Sequence, residues 1–397
     1  MTKPSKLPDV GLTIFSVMSQ LAAEHGAINL SQGFPDFDVH PALIDRVVHY
    51  MRQGFNQYAP MTGVPALRKA IADKTAALYD AVYDPETEVT VTSGATEALY
   101  AAITAVVRPG DDVVIVEPAY DAYEPAVRLN GGRAVFVPMT FPGYRMDWEQ
   151  VRQAVSDRTR LLILNSPHNP TGRVFTAEDA AQLKTLVAGS DLFILSDEVY
   201  EHIVFDGRNH FSMAGDPELR RRSFVVSSFG KTYHATGWKI GYCLAPAPLS
   251  AELRKVHQYL TFASNTPIQM ALADYLARHA DHLDLGPGRL LTELDEFHDL
   301  DVSRRGDLHA ERDPVPHGAV AIGVVGAGCA LRGVVIFRGQ RAHRVEQAAQ
   351  GPVQFLAATG EHQILLVHLD LLHRVADAVR AGGAGGGDGV VDPLDPE

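Results

Sequence analysis

The sequence predicts an α/β fold built on a mainly parallel sheet, and two observations support this prediction. From about Glu88 onward, short runs of β-branched and other apolar residues alternate with segments of helical spacing. This alternation is typical of parallel strands joined by crossover helices. Several of the runs are continuously apolar, as expected for strands that are covered on both faces.

The predicted elements follow one another in a regular order. EVTVT at 88–92 is followed by SGATEALYAAITAVV, in which apolar or small residues lie at helical spacing. TAEDAAQLKTLVAGS has the same helical pattern between two later strands. The strands predicted after the first are DVVIVEP at 112–118, RAVFVPM at 133–139, RLLILNSP at 160–167, LFILSDEVY at 192–200, SFVVSSFG at 223–230 and IGYCLAP at 240–246.

Composition and charge exclude several classes of partner. The chain has 397 residues, is 46% hydrophobic and carries a formal net charge of -13. We expect no nucleic-acid or anionic-membrane partner, because both require a basic surface. The N-terminal residues contain no continuous apolar run, and the apolar stretch 318–337 is interrupted by Arg332. We therefore expect no signal peptide, no membrane span and a cytoplasmic location.

No metal site is predicted. The two cysteines, Cys243 and Cys329, are too few for a disulfide framework or a cysteine-rich zinc site. The seventeen histidines are scattered and show no HExxH pattern.

The composition changes near residue 284. All 13 Tyr lie at or before Tyr275, and the last Lys is Lys255. A uniform composition would place about six Tyr in the remaining 122 residues (397 − 275). That segment is instead rich in Gly, Ala and Arg, and its end, AGGAGGGDGVVDPLDPE, has the composition of a flexible segment.

A candidate anion site follows the first predicted strand. Ser93-Gly94-Ala95-Thr96-Glu97 opens a helix, where free backbone N–H groups and the positive end of the helix dipole suit a phosphate. Gly94 permits a tight turn, and the Thr96 hydroxyl can add a donor. Taken alone, the motif is more often a plain helix N-terminus with a capping box.

A candidate nucleophile follows a later apolar strand. Lys231 lies in SFGKT at 228–232, and Lys239 follows eight residues on. Partial burial lowers the pKa of a lysine amine and makes it a nucleophile toward aldehydes. An isolated lysine is more often a surface residue, but a position between small residues after a buried strand favours the functional interpretation.

Three further motifs follow strands. Asp197 lies at a carboxyl end, where α/β sheets bind ligands, and could hold a proton on a heterocyclic nitrogen, while Tyr200 could bond a phenolic oxygen. The alternative is a capping Asp and a half-buried Tyr. NSPHNPTG at 165–172 is a turn signal. A tyrosine of EPAYDAYEP at 117–125 could stack on a flat ring or pack in the core.

Together, these motifs resemble the class I aminotransferases that depend on pyridoxal 5'-phosphate, and within them the methionine/glutamine/kynurenine aminotransferase branch. The resemblance covers about residues 10–284, with eight phrases in the family's order. They are INLSQGFPDF (28–37), NQYAPMTGVPALR (56–68), TSGATEAL (92–99), EPAYDAYEP (117–125), NSPHNPTGRVF (165–175), SDEVYEHIVFDG (196–207), SFGKTYHATGWKIGY (228–242) and SNTPIQMALADYL (264–276).

The resemblance implies a PLP-dependent transferase fold of type I. Its large domain would span 46–284, and its small domain would combine 1–45 with the C-terminal region 285–397. The cofactor would be pyridoxal 5'-phosphate, the substrates an amino acid and a 2-oxo acid, and the assembly a homodimer.

It also implies residue roles. Lys231 would hold the cofactor covalently and move the substrate Cα proton, and Asp197 would keep the ring nitrogen protonated. Tyr200 and Asn169 would bond the ring oxygen, and Tyr120 would stack on the ring. The phosphate would be bound by Ala95, Thr96, Ser228, Lys239 and the partner subunit's Tyr58. The substrate site would include Gly33 and Asn169.

The resemblance ends before the C-terminal region. The family's small domain carries an arginine that binds the substrate α-carboxylate, and residues 286–397 contain no matching phrase. A reading-frame disturbance in a GC-rich gene and true divergence would both produce such a segment. Three functions stay open: transamination, in two half-reactions, of methionine or another apolar or aromatic amino acid; cofactor binding with little or no turnover; and C–S β-lyase activity, which shares the fold and the lysine.

Overall fold

The structure, a computed structural model, describes residues 5–24, 29, 31, 38–205 and 207–279, together with the backbone of four strands between residues 321 and 368. The chain divides into two compact units. One unit comprises Met1–Gly11 and Phe34–Asp299, and the other comprises Leu12–Gly33 and Leu300–Glu397. The predicted domain boundaries near residues 45 and 284 stay predictions.

The first unit contains a seven-stranded sheet that includes every predicted strand. Its strands are β1 Val89–Thr92, β2 Asp112–Glu117, β3 Arg133–Pro138, β4 Thr159–Asn165, β5 Phe193–Asp197, β6 Ser223–Ser228 and β7 Gly241–Leu244. Strands β3, β2, β4, β5 and β6 are parallel neighbours in that order. Strand β7 is antiparallel to both β6 and β1. The prediction of a mainly parallel sheet is therefore confirmed.

Helices connect these strands and begin at identifiable caps. The α7 helix, for example, begins with a capping box, in which the Thr176 hydroxyl accepts from the Asp179 N–H and the Asp179 carboxylate accepts from the Thr176 N–H. The helices are α1 Ile14–Glu24, α2 Pro41–Arg52, α3 Pro65–Tyr79, α4 Ala95–Val106, α5 Tyr123–Leu129, α6 Trp148–Ala154, α7 Ala177–Val187, α8 Pro217–Arg220, α9 Phe229–Thr232, α10 Ala247–Leu260 and α11 Thr266–Arg278.

Separate apolar clusters cover the two faces of the sheet, because alternate side chains of a strand point to opposite faces. On β4, Leu162 and Leu164 enter one cluster, whereas Leu161 and Ile163 enter the other. Helices α3, α7 and α11 contribute to the first cluster, and α4, α5 and α10 contribute to the second. This double coverage explains the continuously apolar strands and leaves polar residues to the strand ends.

The second unit contains α1 and a four-stranded antiparallel sheet in the order β10-β11-β9-β8. No strands were predicted in this region, because the amphipathic signal of residues 286–397 is weak. The strands are β8 Ala321–Ala327, β9 Ala330–Arg338, β10 Gln354–Thr359 and β11 His362–His368. None of the helices within the described residues combines the length and apolar character that crossing a membrane requires.

Candidate active site

The predicted polar residues lie at one edge of the seven-stranded sheet. Asn165 ends β4, Asp197 ends β5 and Ser228 ends β6. Gly241, the first residue of β7, pairs with both Ser228 and Thr92, which places the end of β1 at the same edge. The carboxyl ends of parallel strands are where α/β sheets bind ligands.

Asp197 is buried at this edge, with only 4% of its surface exposed. The Tyr123 hydroxyl donates to its Oδ2 over 2.6 Å, and the Val199 N–H donates to its Oδ1 over 3.3 Å. Burial raises the pKa of Asp197 to about 6, although these hydrogen bonds and the charge of Lys231 act in the opposite direction. A buried carboxylate of this kind is stabilised by a ligand that offers a positively charged N–H.

Asn165 connects the two neighbouring strand ends. Its Nδ2 donates to the Asp197 carbonyl oxygen over 2.9 Å, and its Oδ1 accepts from the Asn169 N–H over 2.7 Å. The turn that carries Asn169 is thereby fixed to the end of β5. The sequence analysis identified the turn but missed this role of Asn165. The signal available was an amide side chain at the end of a buried strand.

Lys231 lies in α9, a single helical turn directly after β6. The Ser228 hydroxyl caps this turn by accepting from the Gly230 N–H over 3.1 Å. Lys231 Nζ lies 5.4 Å from the centroid of the Tyr200 ring. Burial lowers the pKa of Lys231, the charge of Lys239 adds to this effect, and Asp197 opposes it. A lowered pKa increases the neutral, nucleophilic fraction of the amine.

The N-terminus of α4 lies against the start of β7. A Cβ on Gly241 would be 2.7 Å from the Ala95 nitrogen, so only glycine permits this contact. Gly94 has a φ of +79°, and the first turn of α4 has no side-chain cap. A Cβ on Gly94 would lie 3.4 Å from Lys239 Nζ, which places the ammonium beside this helix end. Uncapped N–H groups beside an ammonium suit an anion.

Two tyrosines complete the described part of the site. Tyr120 contacts Tyr123 edge to face, with ring centroids 5.6 Å apart, and burial raises its pKa, which the nearby Thr96 hydroxyl opposes. Burial raises the pKa of Tyr200 to about 12, and the charges of Asp197 and Tyr120 act in the same direction. Tyr200 is therefore a hydrogen-bond donor at neutral pH.

Two predicted residues stand apart from this group. Tyr58 is 85% exposed and packs edge to face against Phe262, with centroids 5.7 Å apart. Gly33 lies outside the described residues. Within the residues that the structure describes, no cluster of His, Cys, Asp and Glu could hold a metal ion.

His168 is buried in the turn after β4, where its ring contacts a hydroxyl of the same turn. Its Nδ1 lies 2.9 Å from the Thr171 hydroxyl. Burial lowers its pKa to about 4, although the backbone carbonyl oxygen of Pro118, an acceptor, acts in the opposite direction. The ring is therefore neutral at pH 7 and stabilises the turn.

A buried ionic cluster that the sequence analysis missed lies behind the strand ends. Lys74 Nζ donates to Glu201 Oε1 over 2.6 Å, and Ser227 donates to the same oxygen over 2.5 Å. Tyr79 donates to Glu201 Oε2 over 2.6 Å. Burial would raise the pKa of Glu201, but Lys74 and these hydrogen bonds outweigh it and hold that pKa well below its usual range. Glu201 thus connects α3 to the residues that precede Ser228.

Replacing Lys74 by methionine is expected to lower the free energy of unfolding by about 3–5 kcal/mol, because Glu201 becomes an uncompensated buried carboxylate. Urea denaturation at pH 7 measures this loss. Because the pKa of Glu201 is depressed in the fold, the stabilisation is present above the pKa of an unfolded Glu and is lost only as the pH falls through the lower folded value.

Lys69→Met is the matched control, since Lys69 pairs with Asp73 on the exposed side of the same helix. It should leave stability nearly unchanged. The double variant Lys74→Met/Glu201→Gln should recover most of the loss. Equal stability of Lys74→Met and Lys69→Met would contradict a stabilising role for the cluster.

Known proteins resemble this chain in sequence and in fold. A model of the family "Aminotransferase class I and II" matches residues 25–300. Methionine aminotransferase from Escherichia coli K12 is 57% identical over 278 residues, which cover 70% of this chain and 72% of that protein. A probable N-succinyldiaminopimelate aminotransferase DapC from Mycobacterium tuberculosis is 43% identical over 271 residues, 68% of each chain. The crystal structure of YbdL from Escherichia coli, described as a methionine aminotransferase, aligns with a TM-score of 0.74 and 43% identity over 96% of this chain and 100% of that chain.

Proposed function

We propose a substrate class on the premise that the chain belongs to the class I and II aminotransferases, which depend on pyridoxal 5'-phosphate. The proposed reaction is the transamination of methionine and other apolar or aromatic amino acids with a 2-oxo acid. The observation that carries the reaction type is that Lys231 follows β6 and lies 5.4 Å from the Tyr200 ring, while buried Asp197 ends the neighbouring strand β5. The substrate class is supported by the 57% identity with methionine aminotransferase.

The donor set at the sheet edge fits this cofactor. Buried Asp197 offers a carboxylate to a protonated ring nitrogen, and Lys231 offers an amine with a lowered pKa to the aldehyde. We propose that Tyr200 and Asn169 hydrogen-bond the ring oxygen, and that Tyr120, which packs against Tyr123, covers the ring. The residues proposed to bind the phosphate are Ala95, Thr96, Ser228 and Lys239.

When bound, the cofactor supplies an electron sink next to the substrate Cα. Lys231 accepts the Cα proton as a general base, which requires its amine to be neutral. Asp197 stabilises the ring N–H because its carboxylate is ionised and shielded from water. In the first half-reaction the amino group of an amino acid would pass to the bound cofactor, water would supply the carbonyl oxygen, and the amino acid would leave as a 2-oxo acid. In the second, another 2-oxo acid accepts that group.

A homodimer is part of the proposal. Tyr58 is exposed and packs against Phe262, which is exposed as well. Exposed apolar side chains in a group mark an interaction surface. We propose that the partner subunit's Tyr58 reaches the phosphate, as the family resemblance implies, and that Gly33 and Asn169 contribute to the substrate site.

A panel of amino donors with one 2-oxo acid acceptor tests the substrate class. We expect methionine and aromatic amino acids to be turned over with higher kcat/KM than aspartate, because the resemblance is to the methionine branch. A strong preference for aspartate alone would contradict the proposal. Release of pyruvate and a thiol from a thioether substrate would favour the C–S lyase, and bound cofactor without turnover of any donor would favour a binding protein.

A further inference from the structure

A buried histidine outside the proposed cofactor contacts has an acceptor at each ring nitrogen. His257, on α10, has no exposed surface. Its Nδ1 lies 2.9 Å from Glu97 Oε1, and its Nε2 lies 2.8 Å from the Met61 carbonyl oxygen. A carbonyl oxygen only accepts, so Nε2 carries a proton. The ring thereby connects α4 to the segment that follows Tyr58.

The second ring nitrogen, Nδ1, contacts both Glu97 and the Thr261 hydroxyl, which lies 3.2 Å away. A carboxylate oxygen only accepts, so the contact with Glu97 requires a proton shared between the two groups. The other Glu97 oxygen, Oε2, accepts from the Ser93 N–H over 2.9 Å. An imidazolium is a weaker acid than a carboxylic acid by about two pKa units, so the shared proton belongs on Nδ1. Burial would lower the pKa of His257, and Arg254 acts in the same direction, but Glu97 and the Met61 carbonyl outweigh both and raise it. The pair is an imidazolium and a carboxylate with no net charge.

The charge of Glu97 matters because this residue lies at the helix end proposed to bind phosphate. Glu97 is the third residue of α4, and its carboxylate holds the turn that leads into the helix end proposed to bind phosphate. An uncompensated carboxylate within the first turn would repel a phosphate dianion at that end. The same carboxylate paired with a cation can hold the turn without this repulsion.

We propose that His257 is a positioning residue for the cofactor phosphate: it neutralises Glu97, which fixes the Ser93–Gly94 turn, so that the N-terminus of α4 keeps its affinity for the anion. The inference rests on the proposed function, because it takes this helix end as the phosphate site. His257 does not touch the cofactor and acts through Glu97.

Three variants of the full chain test the inference: His257→Asn, Glu97→Gln and the double variant. An asparagine amide occupies the place of the imidazole Nδ1, so it can still donate to Glu97 but carries no charge. Titration of the cofactor-free proteins measures the Kd of pyridoxal 5'-phosphate, with pyridoxal as the control that lacks the phosphate. We expect His257→Asn to weaken the binding of the phosphorylated ligand about tenfold at pH 7.5. Glu97→Gln and the double variant should stay within about threefold of the wild type.

Rescue in the double variant together with an unchanged affinity for pyridoxal in His257→Asn is the decisive observation, because a general loss of structure would weaken both ligands. An equal loss in the single and double variants would overturn the inference. So would an equal loss of affinity for pyridoxal.

The charge of His257 is also measured directly. Nitrogen-15 NMR of the full chain, with His257→Asn as the assignment reference, should show both ring nitrogens protonated at pH 7.5. A neutral ring would overturn the inference even if His257→Asn failed to fold. A wild-type chain that does not bind pyridoxal 5'-phosphate would refute the proposed function and the phosphate role with it, and the NMR result would still establish or refute the ion pair.

Discussion

Lys231→Ala is expected to abolish transamination, with a loss of several orders of magnitude in kcat. The substitution removes the amine proposed to hold the cofactor and, at the same time, the base proposed to accept the Cα proton. A residue that performs both functions has no substitute among the lysines described nearby, because Lys239 lies beside the N-terminus of α4.

Borohydride reduction of the wild-type protein with bound cofactor measures the first of these functions. Mass spectrometry should locate the reduced pyridoxyl label on Lys231. Lys255→Ala is the matched control, since Lys255 is exposed on α10 and pairs only with neighbouring Glu252 in the described contacts. It should retain wild-type kcat. A label on another lysine, or an active Lys231→Ala variant, would refute the assignment.

Asp197→Asn is expected to leave pyridoxal 5'-phosphate bound but to lower kcat by several orders of magnitude. Asparagine has nearly the same shape as aspartate and keeps a hydrogen-bonding oxygen, but it carries no charge to stabilise a protonated ring nitrogen. An unprotonated pyridine is a poor electron sink. Cofactor absorbance reports binding, and single-turnover kinetics with methionine report the chemical step.

Tyr123→Phe perturbs the same carboxylate more mildly than Asp197→Asn. The Tyr123 hydroxyl donates to Asp197 and lowers the pKa of its carboxyl, so removing it should raise that pKa further above its ordinary value. Activity requires the ionised carboxylate, and the acidic limb of the pH profile of kcat should therefore move to higher pH.

Unchanged kcat in Asp197→Asn would show that Asp197 has only a structural role.

The sequence predicted the first unit well because its strands are covered on both faces. β2, β4 and β6 appear as continuous apolar runs, and each of them was placed within two residues of its observed bounds. The second sheet was not predicted. Gly323 and Gly333 interrupt the period-two pattern of β8 and β9, whereas β10 and β11 contain no glycine but lie in a segment with no phrase of the family.

Some residues of the site can be predicted from a local sequence pattern, and others cannot. Lys231 and Asp197 each follow an apolar strand, and a local pattern is enough to identify them. Their supporting residues depend on contacts between distant segments. Tyr123 lies 74 residues from Asp197 in the sequence, Lys74 lies 127 residues from Glu201, and Glu97 lies 160 residues from His257. No periodicity or spacing rule connects such pairs, because the fold alone brings them together.

The double hydrogen bond of Asn165 has a thermodynamic consequence. By joining the Asp197 carbonyl to the Asn169 N–H, it orders the turn that carries Asn169 before any substrate arrives. The conformational entropy of that turn is therefore lost when the chain folds rather than when a substrate binds. Removing the Asn165 side chain would transfer this entropy loss to the binding step. The first ligand to bind, cofactor or substrate, would then order the turn for the second, and the two would bind cooperatively.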